Sequence, residues 1–368
     1  MNAHRVLVLG GYGFFGKRIC MALMKNPAVD LLVAGRDADK AAQLAKELNI
    51  PAANAFAVDA HAGSFASVLQ NYRVDTLVNT AGPFQQQNYQ VPLAAIAAKC
   101  NYVDLADSRE FVTGIDALDA RARENGVTVV SGASSVPALT AAVIDRFLPE
   151  FDCLKSVRIG IASGAKSPGI ATVRGIFSYC GKPFTWKDGG RWTTTYGWLD
   201  LSRHRFPKPV GTRLLGSCNV PDLSIIPSRY PTVQTATFQA GFASHVGHLV
   251  VWALAGLVKL HLLKSAVPFA PLLNRISVWI EPFVSDKGAM FVQMDGRGVD
   301  GTSLRKTWNI VAKNNHGPNI PCGASIAIVN KLAAGESLPK GAMPCVGLIT
   351  VDEYLASLRH LDIVEVLD

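Results

Sequence analysis

Val6-Leu7-Val8-Leu9-Gly10-Gly11-Tyr12-Gly13-Phe14-Phe15-Gly16 is the stretch that decides the fold. Four aliphatic residues in a row read as a buried strand, and GxGxxG follows at once at Gly11, Gly13 and Gly16. Gly11 permits the tight turn out of the strand, Gly13 lets backbone approach a pyrophosphate, and Gly16 lets the next helix pack close to the sheet. Phosphate then meets unpaired amides at a helix N-terminus, where the dipole favours negative charge. Gly11, Tyr12, Gly13, Phe14, Phe15 and Gly16 are therefore expected to cradle a dinucleotide. The alternative is a glycine turn that only tightens a strand–helix junction.

Behind this stretch the pattern repeats. Short aliphatic runs at Val6–Leu9, Leu31–Ala34, Ala55–Val58, Thr76–Asn79, Tyr102–Leu105 and Val127–Val130 alternate with stretches of helical spacing such as Lys40–Leu48 and Phe111–Glu124. That alternation predicts an α/β fold, an N-terminal Rossmann domain with a doubly wound parallel sheet. A further apolar helix, Ala138–Leu148, ends at Pro149, so the first domain is expected to span residues 1–150. Residues 151–368 change character. Gly, Pro, Thr and aromatics cut them into short pieces, with a strand at Trp192–Trp198 and turns at Asp188-Gly189-Gly190 and Asp295-Gly296, which predicts a second α/β (α+β) domain for substrate and dimerisation.

Cofactor choice is read at the end of the second strand, where an acidic residue about twenty positions after the glycines would bond the ribose of NAD. This chain has Ala34-Gly35-Arg36-Asp37 there. Arg36 suits the 2′-phosphate of NADP, which it can pair with and cover, so NADP is expected ahead of NAD. Asp37 weakens that reading, and a solvated Arg36 is the bland alternative. Other cofactor contacts are expected from loops at the carboxyl ends of the strands: Asp59, Thr80-Ala81-Gly82-Pro83, Asp104 and Ser134. Asp59 either reaches the adenine amine or caps the next helix. Asp104 is the one weak catalytic candidate, able to orient cofactor or water, or equally to cap a helix. Tyr102 points to the same strand face and reads as core, and Cys100 as a small buried hydrophobe.

Composition narrows the partners. Apolar residues make up 49% of the chain and charged residues 17%, which disfavours disorder, and 36 Lys and Arg against 28 Asp and Glu leave a net charge of +8. The basic residues are scattered and no nucleic-acid-binding signature accompanies them, so a phosphate-bearing small molecule is expected, not nucleic acid. Seven cysteines without a CxxC pair read as reduced thiols, and His245 and His248 lack a third ligand at recognisable spacing, so no metal is expected. Met1–Arg5 lead straight into Val6, which predicts a cytoplasmic chain. Tyr230–Val258 carries no Asp, Glu, Lys or Arg, yet its cleanly apolar part is shorter than the ~20 residues a span needs. A buried or interface helix is the expected reading; peripheral contact with a bilayer through Leu249–Leu263, with Trp252, Lys259 and Lys264, is the alternative.

Leu7–Lys17, Asn79-Thr80-Ala81-Gly82-Pro83-Phe84, Cys100–Leu105 and Ser131–Pro137 together resemble the NADP-binding domain of the saccharopine dehydrogenase family. The second half is similar to bacterial saccharopine dehydrogenase-like proteins at Gly175–Pro183, Pro221-Asp222, Ser228–Pro231, Asp286–Met290 and Gly347–Thr350. The resemblance implies NADP chemistry, a homodimer, and a C-terminal segment of some twenty residues packing back on the first domain. It implies an oxidoreductase acting on a small or lipid-like molecule, without implying saccharopine, because Val136-Pro137-Ala138 stands where the family usually has Pro-Gly. A non-catalytic NADP-binding sensor or scaffold is the competing expectation.

Overall fold

The structure is a computed structural model that describes residues 3–85, 87–164 and 169–367. The chain divides into two compact units, Met1–Leu139 with Asn319–Ser357, and Thr140–Pro318 with Leu358–Asp368. In chain order the first unit is built from β1 (His4–Leu9), α1 (Gly16–Leu23), β2 (Val29–Gly35), α2 (Ala38–Leu48), β3 (Ala55–Ala57), α3 (Phe65–Asn71), β4 (Thr76–Asn79), α4 (Gln90–Ala97), β5 (Asn101–Asp104), α5 (Arg109–Thr113), α6 (Asp119–Glu124) and β6 (Thr128–Ser131). The second contains α7 (Thr140–Phe147), β7 (Phe151–Ala162), α8 (Ile170–Ser178), β8 (Pro183–Asp188), β9 (Arg191–Tyr196), β10 (Ser202–Phe206), β11 (Gly211–Ser217), α9 (Asp222–Arg229), β12 (Thr235–Gly241), α10 (His245–Lys259), α11 (Ala270–Ile280), β13 (Gly288–Gly298) and β14 (Ser303–Ala312). The chain then returns to the first unit with α12 (Gly323–Ala333), β15 (Gly341–Pro344) and α13 (Val351–Ala356), and ends in the second with β16 (Ile363–Leu367).

The first sheet runs β15-β6-β5-β4-β1-β2-β3, every pairing parallel. Without β15 this is the doubly wound order, with its switch point at β1 and β4. Both faces are covered, which is why β1 reads as an unbroken apolar run. Val6 and Val8 pack with Ile19, Leu23, Leu44, Ile326 and Val329, while Leu7 and Leu9 pack with Phe65, Leu69, Leu77 and Tyr102 on the other face. Each such side chain fully removed from water contributes ~1.5–3 kcal/mol.

The six expected strands are present. The domain boundary differs: the first unit ends at Leu139 instead of near 150, and the helix expected over Ala138–Leu148 begins the second unit as α7. The terminal residues also differ from expectation. Asn319–Ser357 join the first unit, but β16, the last strand, pairs antiparallel with β14 in the second.

The second sheet is mixed. It runs β10-β11-β12-β7-β13-β14-β16, with the β8–β9 hairpin attached to β12. Asp188-Gly189-Gly190 makes that hairpin's turn. Asp295-Gly296, expected as a turn, lies inside β13, where the register against β7 shifts. A side chain on Gly296 would meet the Cys153 carbonyl oxygen at 2.2 Å, so this glycine marks a bulge and a close backbone approach.

Candidate functional site

The site grows from the end of β1. Gly10 leaves the strand at φ +76°, and its amide donates to the Ala34 carbonyl at 2.7 Å. Gly13 turns back with its amide on the Gly10 carbonyl at 2.8 Å. A Cβ on Gly16 would stand 2.2 Å from that same oxygen, and one on Gly11 2.9 Å from Val33 Cγ1, so neither position tolerates a side chain. The crest this makes, Tyr12–Phe15, is only half-buried. Among the described residues, the amides of Tyr12, Phe14 and Phe15 donate to no protein acceptor. No acidic residue occupies the first turn of α1. Three unsatisfied donors beside an uncompensated helix N-terminus form an anion cradle.

Arg18 closes one side of the crest. Its guanidinium donates to the Phe14 carbonyl and lies 4.2 Å from the centre of the Phe14 ring. Burial holds its pKa below the ordinary arginine value. Arg18 belongs to no motif, and its one signal in the sequence is its place on the first turn after the glycines.

At the end of β2 the arrangement bears on cofactor choice. The Tyr12 ring lies over Gly35, where a Cβ would fall 2.5 Å from the phenol oxygen, and that oxygen accepts the Asp37 amide at 2.9 Å. The carboxylate of Asp37 is turned to α2: it accepts the Lys40 amide at 3.1 Å as the helix N-cap and pairs with Lys40 Nζ at 2.8 Å. Those bonds hold its carboxyl below the usual range. Arg36 is exposed and makes no hydrogen bond or ion pair among the described residues. The acid that argued against a 2′-phosphate is therefore occupied, and the base that argued for one is free.

The other loops are tied in from neighbouring strands. Thr80 Oγ1 donates to the Leu9 carbonyl at 2.9 Å, which fixes the β4 loop against the glycine turn at the switch point. Ala81 and Pro83 beyond it are exposed and Gly82 half-buried. Asp59 is exposed and accepts the His61 amide at 3.0 Å. It forms a local turn and does not cap α3, whose N-cap is Ser64.

Asp104 is fully buried at the carboxyl end of β5. Its Oδ1 accepts three donors, Gly132 N at 2.8 Å, Ala106 N at 2.9 Å and Ser131 Oγ at 3.0 Å. It thereby joins the loops after β5 and β6. Burial pushes its carboxyl up to about 6, against the pull of those donors and of the Tyr102 hydroxyl. Tyr102 is core, with its hydroxyl accepting from Asn79 Nδ2 at 3.1 Å. Ser134 is buried, its amide on the Gly132 carbonyl at 2.8 Å. Cys100 is buried, and burial pushes its thiol up, away from reactivity. His245 and His248 separate: the first is exposed on the Thr212 carbonyl, the second buried against Trp198 and Phe242 with its pKa lowered to about 4.

Fold and crest define a class, the proteins with a doubly wound domain for a nicotinamide dinucleotide. Residues 6–130 match the family model described as the saccharopine dehydrogenase NADP binding domain, which makes NADP the coenzyme. In fold the chain is similar to apo saccharopine dehydrogenase (L-Glu forming) from Saccharomyces cerevisiae, with a TM-score of 0.69 and 14% identity over 100% of both chains. A meso-dapdh mutant from Clostridium tetani E88 has a TM-score of 0.47 and 16% identity over 95% of each chain. No curated protein sequence matches the chain.

Proposed function

We propose that the chain binds NADP along the crest Gly11–Gly16 and the β2 end, and transfers hydride to or from a small carbonyl or imine substrate, which includes lipid-like molecules. The observation that carries this reading is the pairing of a free Arg36 with an Asp37 already engaged by α2. In this reading the amides of Tyr12, Phe14 and Phe15 hold the pyrophosphate and Arg36 holds the 2′-phosphate. Thr80, Ala81, Gly82 and Pro83 flank the nicotinamide half, and Asp59 approaches the adenine. Bound NADPH supplies the hydride. Asp104 acts through the two loops it ties, as a positioning residue, because it is fully buried and its Oδ1 is committed to Gly132, Ala106 and Ser131.

A second reading, a non-catalytic NADP-binding sensor or scaffold, is favoured by one observation: both Asp104 and Ser134 are buried, so neither offers a proton donor at the surface. Loss of NADPH absorbance with a panel of ketones, imines and enoyl compounds separates the two. Turnover supports the enzyme, and its absence across the panel supports the sensor. Cofactor choice is tested apart from turnover by titration. NADPH is expected to bind more tightly than NADH, and Arg36→Ala to weaken NADPH alone by about 10–100-fold, the worth of a charge-assisted pair. Equal affinities for the two coenzymes in the unmodified protein would remove the assignment of Arg36.

A further inference from the structure

Within the second unit, α10 and α11 turn apolar side chains outward. Val246, Leu249, Val250 and Leu257 recur at helical spacing along the solvent face of α10, with Leu260 just past its end, while His248, Val251, Ala255 and Val258 fill its inner face. The connection, α11 and the turn after it continue the pattern, with Leu262 72%, Trp279 76% and Phe283 89% exposed. Isolated exposed apolar residues need no explanation, but a run of this length in one segment marks a contact surface.

Charge identifies what it contacts. From Pro231 to Ser285 the sequence has one acidic residue, Glu281, against Lys259, Lys264 and Arg275. At the end of α10 a groove of about 520 Å³ is lined by Lys182, Tyr196, Lys259, His261 and Lys264 and by no carboxylate. Lys259 Nζ lies 4.2 Å from the centre of the Tyr196 ring, and none of the three lysines has an acidic partner among the described residues. A second copy of the chain fits this surface poorly. A two-fold contact would bring cations toward cations, and interface cores are depleted of lysine. Exposed Trp, Phe and Leu beside Lys and Arg suit the headgroup boundary of an anionic bilayer. Contact would be peripheral: α10 has 15 residues, against ~20 for a span, and no helix among the described residues is long and apolar enough to cross a membrane.

We infer that the segment Val246–Phe283 docks the protein on an anionic lipid surface, with phosphate headgroups seated in the Lys182, Lys259, His261 and Lys264 groove. The test uses the purified chain and flotation with two kinds of vesicle, phosphatidylcholine alone and phosphatidylcholine mixed with phosphatidylglycerol. The chain is expected to float with the mixed vesicles only, and less as salt rises. Lys259→Glu with Lys264→Glu should weaken that binding at least about thirtyfold. Trp279→Ser with Phe283→Ser should weaken it as well, and NADPH titration of each variant checks that the coenzyme domain is intact. No flotation with the mixed vesicles, or equal flotation with both kinds, overturns the inference. So does a dimer in light scattering that the Trp279→Ser, Phe283→Ser variant dissociates, since that places a second copy on this face.

Discussion

Asp104 shows how far one residue's role depends on what is packed around it. In the sequence it is an acid at the carboxyl end of a strand, which suits a cofactor contact, a catalyst and a cap about equally. Burial, which no local pattern encodes, decides among them by surrounding Oδ1 with donors and raising the carboxyl from its ordinary 3.8 to about 6. The sign of the consequence follows from proton counting. Between those two values the folded state keeps a proton that the unfolded chain has lost, so this group's contribution is full below 3.8 and is lost as pH rises through about 6. Asp104→Asn keeps an acceptor for Gly132, Ala106 and Ser131 and cannot ionise. Urea unfolding at about pH 4 and about pH 7 should show the variant gaining on the unmodified protein at the higher pH, by up to about 3 kcal/mol. An unchanged difference between the two pH values would mean that Asp104 does not titrate in this window. Arg36 was legible for the opposite reason: it stands at a fixed offset from the glycines, and its significance needs only exposure. That Asp37 is harmless was not legible, because the Lys40 pairing depends on where α2 starts.

Elements were legible where pattern and length agreed. β1, β2 and β4 are apolar runs bounded by turns, and packing on both faces of one sheet imposes that pattern. The expected helix over Phe111–Glu124 is instead α5 and α6, separated by Gly114, where a Cβ would stand 2.7 Å from the Tyr89 hydroxyl, and by a 3-10 turn over Ile115–Leu118. Helical spacing survives such a break, so periodicity alone cannot reveal it. β15 was invisible: four residues beginning with Gly and ending with Pro carry no strand signal, and they pair only because β6 offers a parallel edge. Its neighbours α12 and α13 are held by a contact that can be removed singly. Tyr354 is fully buried, its ring lies where Gly323 leaves space, and its hydroxyl donates to the Ile320 carbonyl. Tyr354→Phe preserves the ring and leaves that buried carbonyl short of its donor, at a cost of about 1–3 kcal/mol. A urea midpoint shifted down at constant slope is the expected result, and an unmoved midpoint would show that the bond contributes nothing net.

At the scale of the whole chain, the first unit is discontinuous, and this was the largest departure from what the sequence suggested. Alternating strand and helix signals stop near residue 150, which makes 1–150 look self-sufficient, yet three things that complete the unit arrive after residue 318. β15 covers the outer edge of β6, Cys322 and, from the α12 that follows it, Ile326 and Val329 come to the face of the sheet that carries α1, and α13 packs on α12 through Tyr354 against Gly323. Without α12, the buried cluster of Val6, Val8, Ile19 and Leu23 loses the part of its cover that Ile326 and Val329 supply. At ~1.5–3 kcal/mol per side chain returned to water, the loss of a few such residues is comparable with the ~5–15 kcal/mol that holds a whole domain folded. A chain ending at Glu150 should therefore melt without a cooperative transition and bind no NADPH. Residues 1–139 joined to 319–357 by a flexible Gly-Ser linker should do both, because every strand of the parallel sheet and every residue of the coenzyme crest is then present. Circular dichroism melts and NADPH fluorescence titrations of the two shortened chains make the comparison. Cooperative unfolding of 1–150 with NADPH affinity equal to that of the full chain would mean that the returning segment is an ornament on the coenzyme domain, not part of its core.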